Sequence, residues 1–199
     1  MSEAVGLLPL FPLQTVLFPG AVLPLHVFEA RYMDLATRCL KDGSVFGVNL
    51  IAEGAEVGAP ALPHAVGVSA RIAEWDMPQP GVLNLLTRGE RRYRILRTET
   101  GANGLLLGEV EWLAEPPPAP VPDDCAALVT LLRAVVEDAG AERFPPPHGF
   151  DDAGWVGMRY AELLPIPVLA KQSLLELDDA RGRLAIIRKF LEQRGLLTG

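Results

Sequence analysis

The sequence has few of the residues from which disulfide scaffolds and metal centres are built. Its 199 residues include only two cysteines and three histidines. Cys39 and Cys125 lie far apart, so we expect two buried free thiols and a cytoplasmic protein. His26, His64 and His148 stand in separate segments, without the i, i+4 spacing of metal ligands on a helix. The sequence therefore predicts neither a disulfide framework nor a bound metal.

Long hydrophobic runs, a basic leader and a surplus of positive charge are also missing. No apolar segment reaches the roughly 18–20 residues that cross a bilayer. The segment Met1–Ala4 is acidic, so we expect no signal peptide and no membrane contact. The formal net charge is −7, from 18 Lys and Arg against 25 Asp and Glu. Since nucleic-acid backbones are bound through excess positive charge, nucleic acid is disfavoured as a partner.

Motifs for nucleotide binding and catalysis are absent as well. Neither G-x-x-x-x-G-K-[ST] nor G-x-G-x-x-G occurs in the sequence. Lys171 and Ser173 are two residues apart, so on a helix they do not face each other as a dyad would. Three Asp-Asp pairs precede helical patterns, where helix capping accounts for them. These pairs begin at Asp123, Asp151 and Asp178. We predict no catalytic residue, no cofactor and no enzymatic activity.

The first 115 residues carry the pattern of short strands around a single helix. The helix is predicted over Glu29–Leu40, with an apolar stripe that begins at Phe28 and with Gly43 placed to end it. Asn103-Gly104 is a hairpin signal. Several short strands separated by turns indicate a small barrel or a sandwich, and the strand pattern does not choose between them. The predicted strands include Val45–Ile51, Ala65–Trp75, Val82–Thr87, Arg91–Thr98 and Leu105–Leu113.

Prolines interrupt the two apolar segments at the start of the chain. Pro9 and Pro12 lie in the first of them and Pro24 in the second, on either side of the turn at Pro19-Gly20. Proline donates no backbone hydrogen bond, so it does not fit a central ladder. We therefore expect these three prolines at strand starts, edges or bulges.

A proline-rich segment, Pro116–Pro122, divides the chain. Such a run is stiff and extended, and it cannot join the interior of a helix or sheet. Every later segment shows the apolar spacing of helices, with Asp residues at the starts and Gly140 and Gly195 at two of the ends. We predict a β-rich domain at 1–115, a linker at 116–122 and an α-helical domain at 123–199.

Several ordered motifs resemble one family. Leu8–Leu13 reads LPLFPL, Val16–Gly20 reads VLFPG, and Leu23–Tyr32 reads LPLHVFEARY. Together they resemble the opening of the amino-terminal, substrate-binding domain of Lon proteases. Two later segments, Gly89–Ile95 and Leu163–Glu176, resemble later parts of the same domain. The resemblance therefore covers nearly the whole chain.

This resemblance implies an α+β fold, a PUA-like β pseudobarrel with one inserted helix followed by a C-terminal α-helical bundle. It also implies a stand-alone module without the ATPase and protease parts of Lon. In the family this region recognises unfolded or tagged polypeptide. The implied function is non-enzymatic binding of a polypeptide or protein partner, in an apolar groove helped by pairing at a sheet edge. A small-molecule or RNA-binding module on the same barrel is the alternative. The oligomeric state is left open.

Five residues in the family-like segments are predicted to form the binding site. They are His26, Glu29, Arg31, Tyr32 and Arg92. We expect His26 to face outward and Tyr32 to bury its ring. We expect Glu29 to pair with Arg92, which ties the helix to the barrel and leaves Arg31 for a ligand. The arginines between residues 88 and 97 are split between two strand faces and flanked by glutamates, so pairing with carboxylates is favoured over RNA binding.

Overall fold

The computed structural model describes residues 6–197 and divides the chain into two compact units, Met1–Glu115 and Pro116–Gly199. The first unit holds the strands and one helix, and the second is helical. The fold is α+β, as predicted. The strands are β1 (Gly6–Leu13), β2 (Val22–Val27), β3 (Phe46–Glu53), β4 (Leu62–Pro63), β5 (Val66–Gln79), β6 (Val82–Thr100) and β7 (Leu106–Trp112). The α-helices are α1 (Ala30–Asp42), α2 (Ala126–Arg143), α3 (Ala153–Leu163), α4 (Val168–Glu176) and α5 (Ala180–Gln193).

A closed ring of five strands forms the body of the first unit. β1 pairs with β7, β7 with β6, β6 with β5 and β5 with β3. β3 then returns to β1 through a parallel pairing, which closes the ring. β2 lies outside the ring against β6, and β4 lies against β3. This closure selects a barrel over a sandwich.

Each half of β1 pairs with only one strand, so one of its edges has no neighbouring strand there. The two prolines of β1 lie in these singly paired halves. Residues 6–10 pair with β7 and residues 10–13 pair with β3, so both partners meet at Leu10. Pro9 lies in the first half and Pro12 in the second half. Proline has no N–H to give to a ladder, so it is tolerated beside an open edge. The predicted edge placement of both prolines is confirmed.

β6 is one continuous strand of 19 residues. The sequence predicts two strands there, Val82–Thr87 and Arg91–Thr98, meeting in a bulge or bend at Gly89. The prediction of two strands is wrong, but an irregularity is present. Residues 90 and 91 together lie opposite Ser69 of β5, a bulge that shifts the register by one residue.

Gly89 allows the turn before β2 to approach the barrel closely. A Cβ atom there would lie 2.3 Å from the carbonyl oxygen of Phe18. The Gly20 N–H donates to the Gly89 carbonyl at 2.8 Å, and the Gly89 N–H donates to the Ala21 carbonyl at 2.9 Å. This turn sets where β2 begins.

Helix α1 follows β2 after two residues. It ends at Gly43, whose φ of 70° is the left-handed conformation that glycine adopts without strain. The buried face confirms the predicted stripe from Tyr32 to Cys39, whereas Leu40, predicted as its last member, is 38% exposed. Phe28 is not part of that stripe, because it precedes the helix and its side chain is 54% exposed.

The helical unit is built from α2, α3, α4 and α5. The regular geometry of α2 breaks at Gly140 (φ 77°, ψ 173°), the residue at which the sequence predicts its end. The apolar core of the unit includes Leu128, Leu132, Val156, Leu184 and Ile187. The hydroxyl of Tyr160 in α3 donates to the Leu128 carbonyl of α2 at 2.8 Å.

Two of the three predicted aspartate caps are confirmed. Asp152 accepts hydrogen bonds from the Gly154 and Trp155 N–H groups, and Asp179 accepts one from Gly182. The prediction for Asp123 or Asp124 is wrong. Both residues lie in a short 3₁₀ turn after Pro122 without capping it, and Asp124 pairs with Arg188.

The later part of the proline-rich segment is bound to the helical unit. The Ala119 N–H donates to the Asp152 carboxylate at 3.0 Å, and the Val121 N–H donates to the Asp151 carbonyl at 3.3 Å. That this segment separates two independent folding units stays a prediction.

Cys39 and Cys125 are both buried free thiols, as predicted, and burial raises the pKa of each. Among residues 6–197, no group of three or more His, Cys, Asp or Glu side chains is placed to hold a metal ion. None of the helices in that range is long and apolar enough to cross a membrane. The cytoplasmic location stays a prediction.

Candidate functional site

A groove of about 280 Å³ opens beside β2, and we refer to it as the β2 groove. Residues from β1, β2, the start of α1 and the loop between β3 and β4 line it. They are Phe11, Leu13, Thr15, Leu23, Pro24, Leu25, His26, Val27, Phe28, Glu29, Tyr32, Glu56 and Val57. Three of the five predicted site residues, His26, Glu29 and Tyr32, are among them.

One wall of the β2 groove is the edge of a strand. Every residue from Leu23 to Phe28 contributes to that wall. Successive side chains of a strand point to opposite faces, so an uninterrupted run of lining residues indicates that the strand presents its edge. β2 pairs with β6 along its other edge, and no described strand pairs with the edge at the groove.

The hydrogen bonds around β2 indicate which backbone groups point into the groove. Ala21 precedes β2, and its carbonyl accepts from Gly89 at the end of the β2–β6 pairing. Bonded and non-bonded pairs alternate along an antiparallel ladder, so Leu23 is bonded to β6 and its neighbour Pro24 is not. The Thr87 hydroxyl, which donates to the Leu23 carbonyl at 2.8 Å, confirms that this carbonyl points to β6. By the same alternation, Pro24 and His26 direct their backbone groups to the open edge.

A stacked aromatic pair supports the groove. The rings of Phe11 and Tyr32 are 3.8 Å apart between centroids and inclined by 11°. Tyr32 buries its ring, as predicted. Burial raises the pKa of the Tyr32 hydroxyl, and within residues 6–197 this hydroxyl has no hydrogen-bond partner. It is a polar group available to a ligand in the part of the groove near Glu29 and Glu56.

The apolar rim of the groove is formed by Phe28 and Val57, whose side chains are 54% and 58% exposed. Neither residue is among the five site residues predicted from the sequence. Phe28 belongs to the family-like segment, but the helical pattern placed it on a buried stripe. Val57 lies in a loop rich in Gly and Ala, and it reaches the groove only because β3 carries that loop past β2. No local signal in the sequence identifies it.

His26 faces outward, as predicted. Its Nδ1 lies 2.7 Å from the Asn84 side-chain oxygen. An amide oxygen only accepts, so Nδ1 donates and a neutral ring keeps Nε2 as an acceptor for a ligand. The His26 ring also lies 6.3 Å from the Phe28 ring.

The predicted pair between Glu29 and Arg92 is wrong, and Arg31 is not free. Glu29 Oε2 pairs with Arg31 Nη2 at 3.0 Å. The Arg31 side chain is 8% exposed; it donates to the Gly104 carbonyl at 3.2 Å and lies over the Tyr32 ring at 4.7 Å. Arg31 therefore connects α1 to the β6–β7 hairpin. Arg31 is only two residues from Glu29 along the chain, which explains why Arg31, and not Arg92, reaches Glu29.

Arg92 has a different role from the predicted one. Its side chain is fully buried, and its Nε pairs with Glu115 at 3.4 Å. The Leu113 N–H donates to the Arg92 carbonyl at 3.0 Å. Because of this bond, the segment that follows β7 lies beside Arg92, and Glu115 in that segment reaches the Arg92 guanidinium. Arg92 does not line the β2 groove.

Two of the arginines between residues 88 and 97, Arg92 and Arg97, are paired with carboxylates, as predicted, and so is Arg71 of β5. Arg71 Nε lies 2.5 Å from Glu90, and Arg97 Nε lies 3.4 Å from Glu109. Arg91 lies over the Trp112 ring at 5.1 Å. These contacts offset the positive charge that a nucleic acid would need.

The helical unit has a second groove of about 550 Å³ between α4 and α5. Its lining is almost entirely apolar and includes Leu174, Ile186 and Phe190. Lys171 and Ser173 of α4 do not form a dyad, since Lys171 donates to the Glu162 carbonyl and Ser173 to the Leu169 carbonyl. None of the predicted site residues lies in this groove.

Comparison with known proteins identifies relatives along nearly the whole chain. The family model of the ATP-dependent protease La (LON) substrate-binding domain matches residues 7–193. Lon protease of Methylocella silvestris is 28% identical over 189 residues, 90% of this chain and 23% of the relative. Lon protease 2 of Myxococcus xanthus is 27% identical over 195 residues, 94% of this chain and 24% of the relative. The chain thus spans about a quarter of the length of these curated relatives.

Solved structures agree with this match. The Lon N-terminal domain protein from Xanthomonas campestris is 39% identical with a TM-score of 0.77, and the match covers 93% of this chain and 98% of that one. The N-terminal domain of Mycobacterium avium complex Lon protease has a TM-score of 0.63, with coverage of 94% and 98%. Its identity of 20% supports similarity of fold alone.

Proposed function

Because the chain belongs to the family of Lon substrate-binding domains, we propose that it recognises polypeptide substrates by binding an extended, unfolded segment in the β2 groove. The segment adds to the open edge of β2 as a further strand, and its side chains pack on the apolar lining. The chain binds without catalysing a reaction. The observation that carries this proposal is the edge of β2 from Leu23 to Val27, which lines the groove and pairs with no described strand.

Main-chain pairing accounts for recognition of many sequences. An added strand gains affinity from backbone hydrogen bonds, which do not depend on side-chain identity, and gains selectivity from the pockets for alternate side chains. Here the open edge supplies the Pro24 carbonyl and both backbone groups of His26. The apolar contacts come from Phe11, Phe28 and Val57.

The volume of the groove, about 280 Å³, is enough for one or two side chains of a ligand that lies mostly along the surface. RNA is disfavoured because the described lining holds Glu29 and Glu56 but no lysine or arginine.

The proposal is tested by titrating a fluorescently labelled, unfolded peptide against the protein and its variants. We expect Phe28→Ser and Val57→Ser each to weaken binding by about five- to tenfold, since each removes apolar surface that the peptide covers. Both side chains are mostly exposed, so the fold should be retained. Leu96→Ser is the matched control, because Leu96 is 53% exposed on β6 and does not line the groove.

N-methylation of the peptide, one position at a time, tests the strand pairing. Methyl groups on N–H groups that face β2 should weaken binding, and those on the alternate positions should have little effect. This period of two follows from the geometry of a strand. Equal weakening by Leu96→Ser, or an N-methyl scan without alternation, would contradict binding at the β2 edge.

A further inference from the structure

The β2 groove has an uneven distribution of charge. Two carboxylates, Glu29 and Glu56, lie among its lining residues, whereas the described lining contains no lysine or arginine. The charge of Glu29 is offset by Arg31 at 3.0 Å. Glu56 accepts a hydrogen bond from the Gln14 backbone N–H, and within residues 6–197 no basic side chain pairs with it. Glu56 therefore carries the negative charge of the groove that the protein itself does not balance.

We infer that the β2 groove selects polypeptide segments in which a lysine or arginine stands close to an apolar residue, and that Glu56 determines this preference. The inference rests on the proposed function and names the substrate class. An apolar side chain of the segment packs between Phe28 and Val57, and the neighbouring basic group reaches Glu56.

The positions of Glu56 and Val57 support this combination. They are adjacent in the chain and both line the groove, so one loop presents a carboxylate and an exposed apolar side chain together. Lysine and arginine have long aliphatic stems that pack on apolar surface while the charged end remains in water or at a carboxylate. A basic residue is therefore compatible with both parts of this wall.

Complementary charge also opposes the wrong ligand. An acidic segment would bring its carboxylates to Glu56 and Glu29 in a partly enclosed groove, where like charges repel each other. Selection thus acts in both directions, and the affinity should rank basic above neutral above acidic segments of the same apolar content.

The experiment uses three unfolded peptides that share one apolar sequence and differ only in the flanking residues, which are Lys, Gln or Glu. We expect the Lys peptide to bind about two- to fivefold more tightly than the Gln peptide, the range of an exposed ion pair. The Glu peptide should bind more weakly than both. Glu56→Gln should reduce the Lys preference, measured as the ratio of the affinities for the Lys and Gln peptides, to near unity.

Glu99→Gln is the matched control. Glu99 is exposed and lies on the part of β6 that pairs with β7, away from the part that pairs with β2. The substitution removes the same charge as Glu56→Gln, and the preference for the Lys peptide should remain. Raising the salt concentration from about 50 mM to about 500 mM should also suppress the preference of the unmodified protein, since salt screens exposed charges. This measurement needs no variant, so it holds even if Glu56→Gln disturbs the loop.

The outcomes separate this inference from the proposed function. If none of the three peptides binds, both are overturned. If all three bind with equal affinity, polypeptide binding stands and the charge selection is refuted. A Lys preference that survives Glu56→Gln, or that Glu99→Gln reduces as much as Glu56→Gln does, would refute the role of Glu56.

Discussion

Each of the five ring strands has hydrogen-bonded neighbours on both of its edges, although β1 meets its two partners along different halves. β2 has one neighbouring strand, β6, and no described strand pairs with its other edge. Closed sheets offer no edge to another chain, and open edges do. We therefore expect the ring to supply most of the stability of this unit, and β2 is the edge at which we propose that a ligand strand binds.

The largest expected effect separates an aromatic residue of the ring from one beside β2. Tyr93 is fully buried, contacts Trp112 edge to face at 5.9 Å and donates to Asn49. Tyr93→Ala should lower the free energy of unfolding by about 3–5 kcal/mol, as expected when a large buried ring is removed. Phe28→Ala should change it by less than about 0.5 kcal/mol, because that side chain is largely in solvent already.

Urea denaturation followed by circular dichroism measures both variants. If the two substitutions cost similar amounts of stability, the division between a stabilising ring and an open β2 is wrong.

A medium effect is expected when the open edge gains a donor. Pro24 lacks the N–H that would face the groove, so Pro24→Ala adds one hydrogen bond to any strand that pairs there. A hydrogen bond of about 0.5–1.5 kcal/mol corresponds to about two- to tenfold tighter peptide binding. The same donor should also strengthen pairing of this edge with a second copy of the chain. Light scattering during size-exclusion chromatography measures the resulting self-association.

The control for the added donor is Pro9→Ala, which makes the same substitution in β1, outside the groove lining. That variant should leave peptide affinity unchanged. If Pro24→Ala binds the peptide no more tightly than the parent protein does, the prediction that Pro24 lies at the edge that pairs with the peptide is wrong.

The smallest effect distinguishes the tyrosine of the groove from the tyrosine of the ring. The ordinary pKa of a tyrosine is 10.0; burial raises the pKa of Tyr32 and raises that of Tyr93 further. Because both values are raised in the folded state, folding favours the protonated phenols. Their contribution to stability is complete below pH 10.0 and is lost as the pH rises through the raised values.

Alkaline titration followed by phenolate absorbance tests this order. The chain has three tyrosines, and burial also raises the pKa of the third, Tyr160. We expect Tyr32 to ionise while the protein is folded, and Tyr93 to ionise only as it unfolds. Tyr32→Phe should delete the first step. A first step that persists in Tyr32→Phe would contradict the order.

Local features were predictable from the sequence, and distant pairings were not. The α1 helix and its end at Gly43 follow from the spacing of apolar residues and from one glycine, and both are confirmed. The outward direction of His26 follows from strand alternation. The closure of the barrel does not follow from any such pattern, because the β1–β3 pairing joins Leu10 to Gly47 across a helix.

Charge pairs within the site were the least predictable part. The sequence contains several arginines of equal chemistry near the bulge, and only the backbone decides which of them reaches a given carboxylate. Glu29 pairs with Arg31, its neighbour at the start of α1, and Arg92 pairs with Glu115 because the chain after β7 runs beside it. For the same reason Glu56 and Val57 gave no signal, since their loop contacts the site only in the folded barrel.

The closure of the ring also determines when this unit can fold during synthesis. Gly6 pairs with Val110, so the first strand cannot complete its pairing until roughly 100 further residues have been translated. At about 5–20 residues per second this interval lasts roughly 5–20 s. Until then the half of β1 that pairs with β7 exposes apolar residues, such as Leu8, that the finished barrel buries. Pro9 lies in this half and cannot donate to a foreign strand, so the segment that stays unpaired longest is also poorly suited to pair with the wrong neighbour.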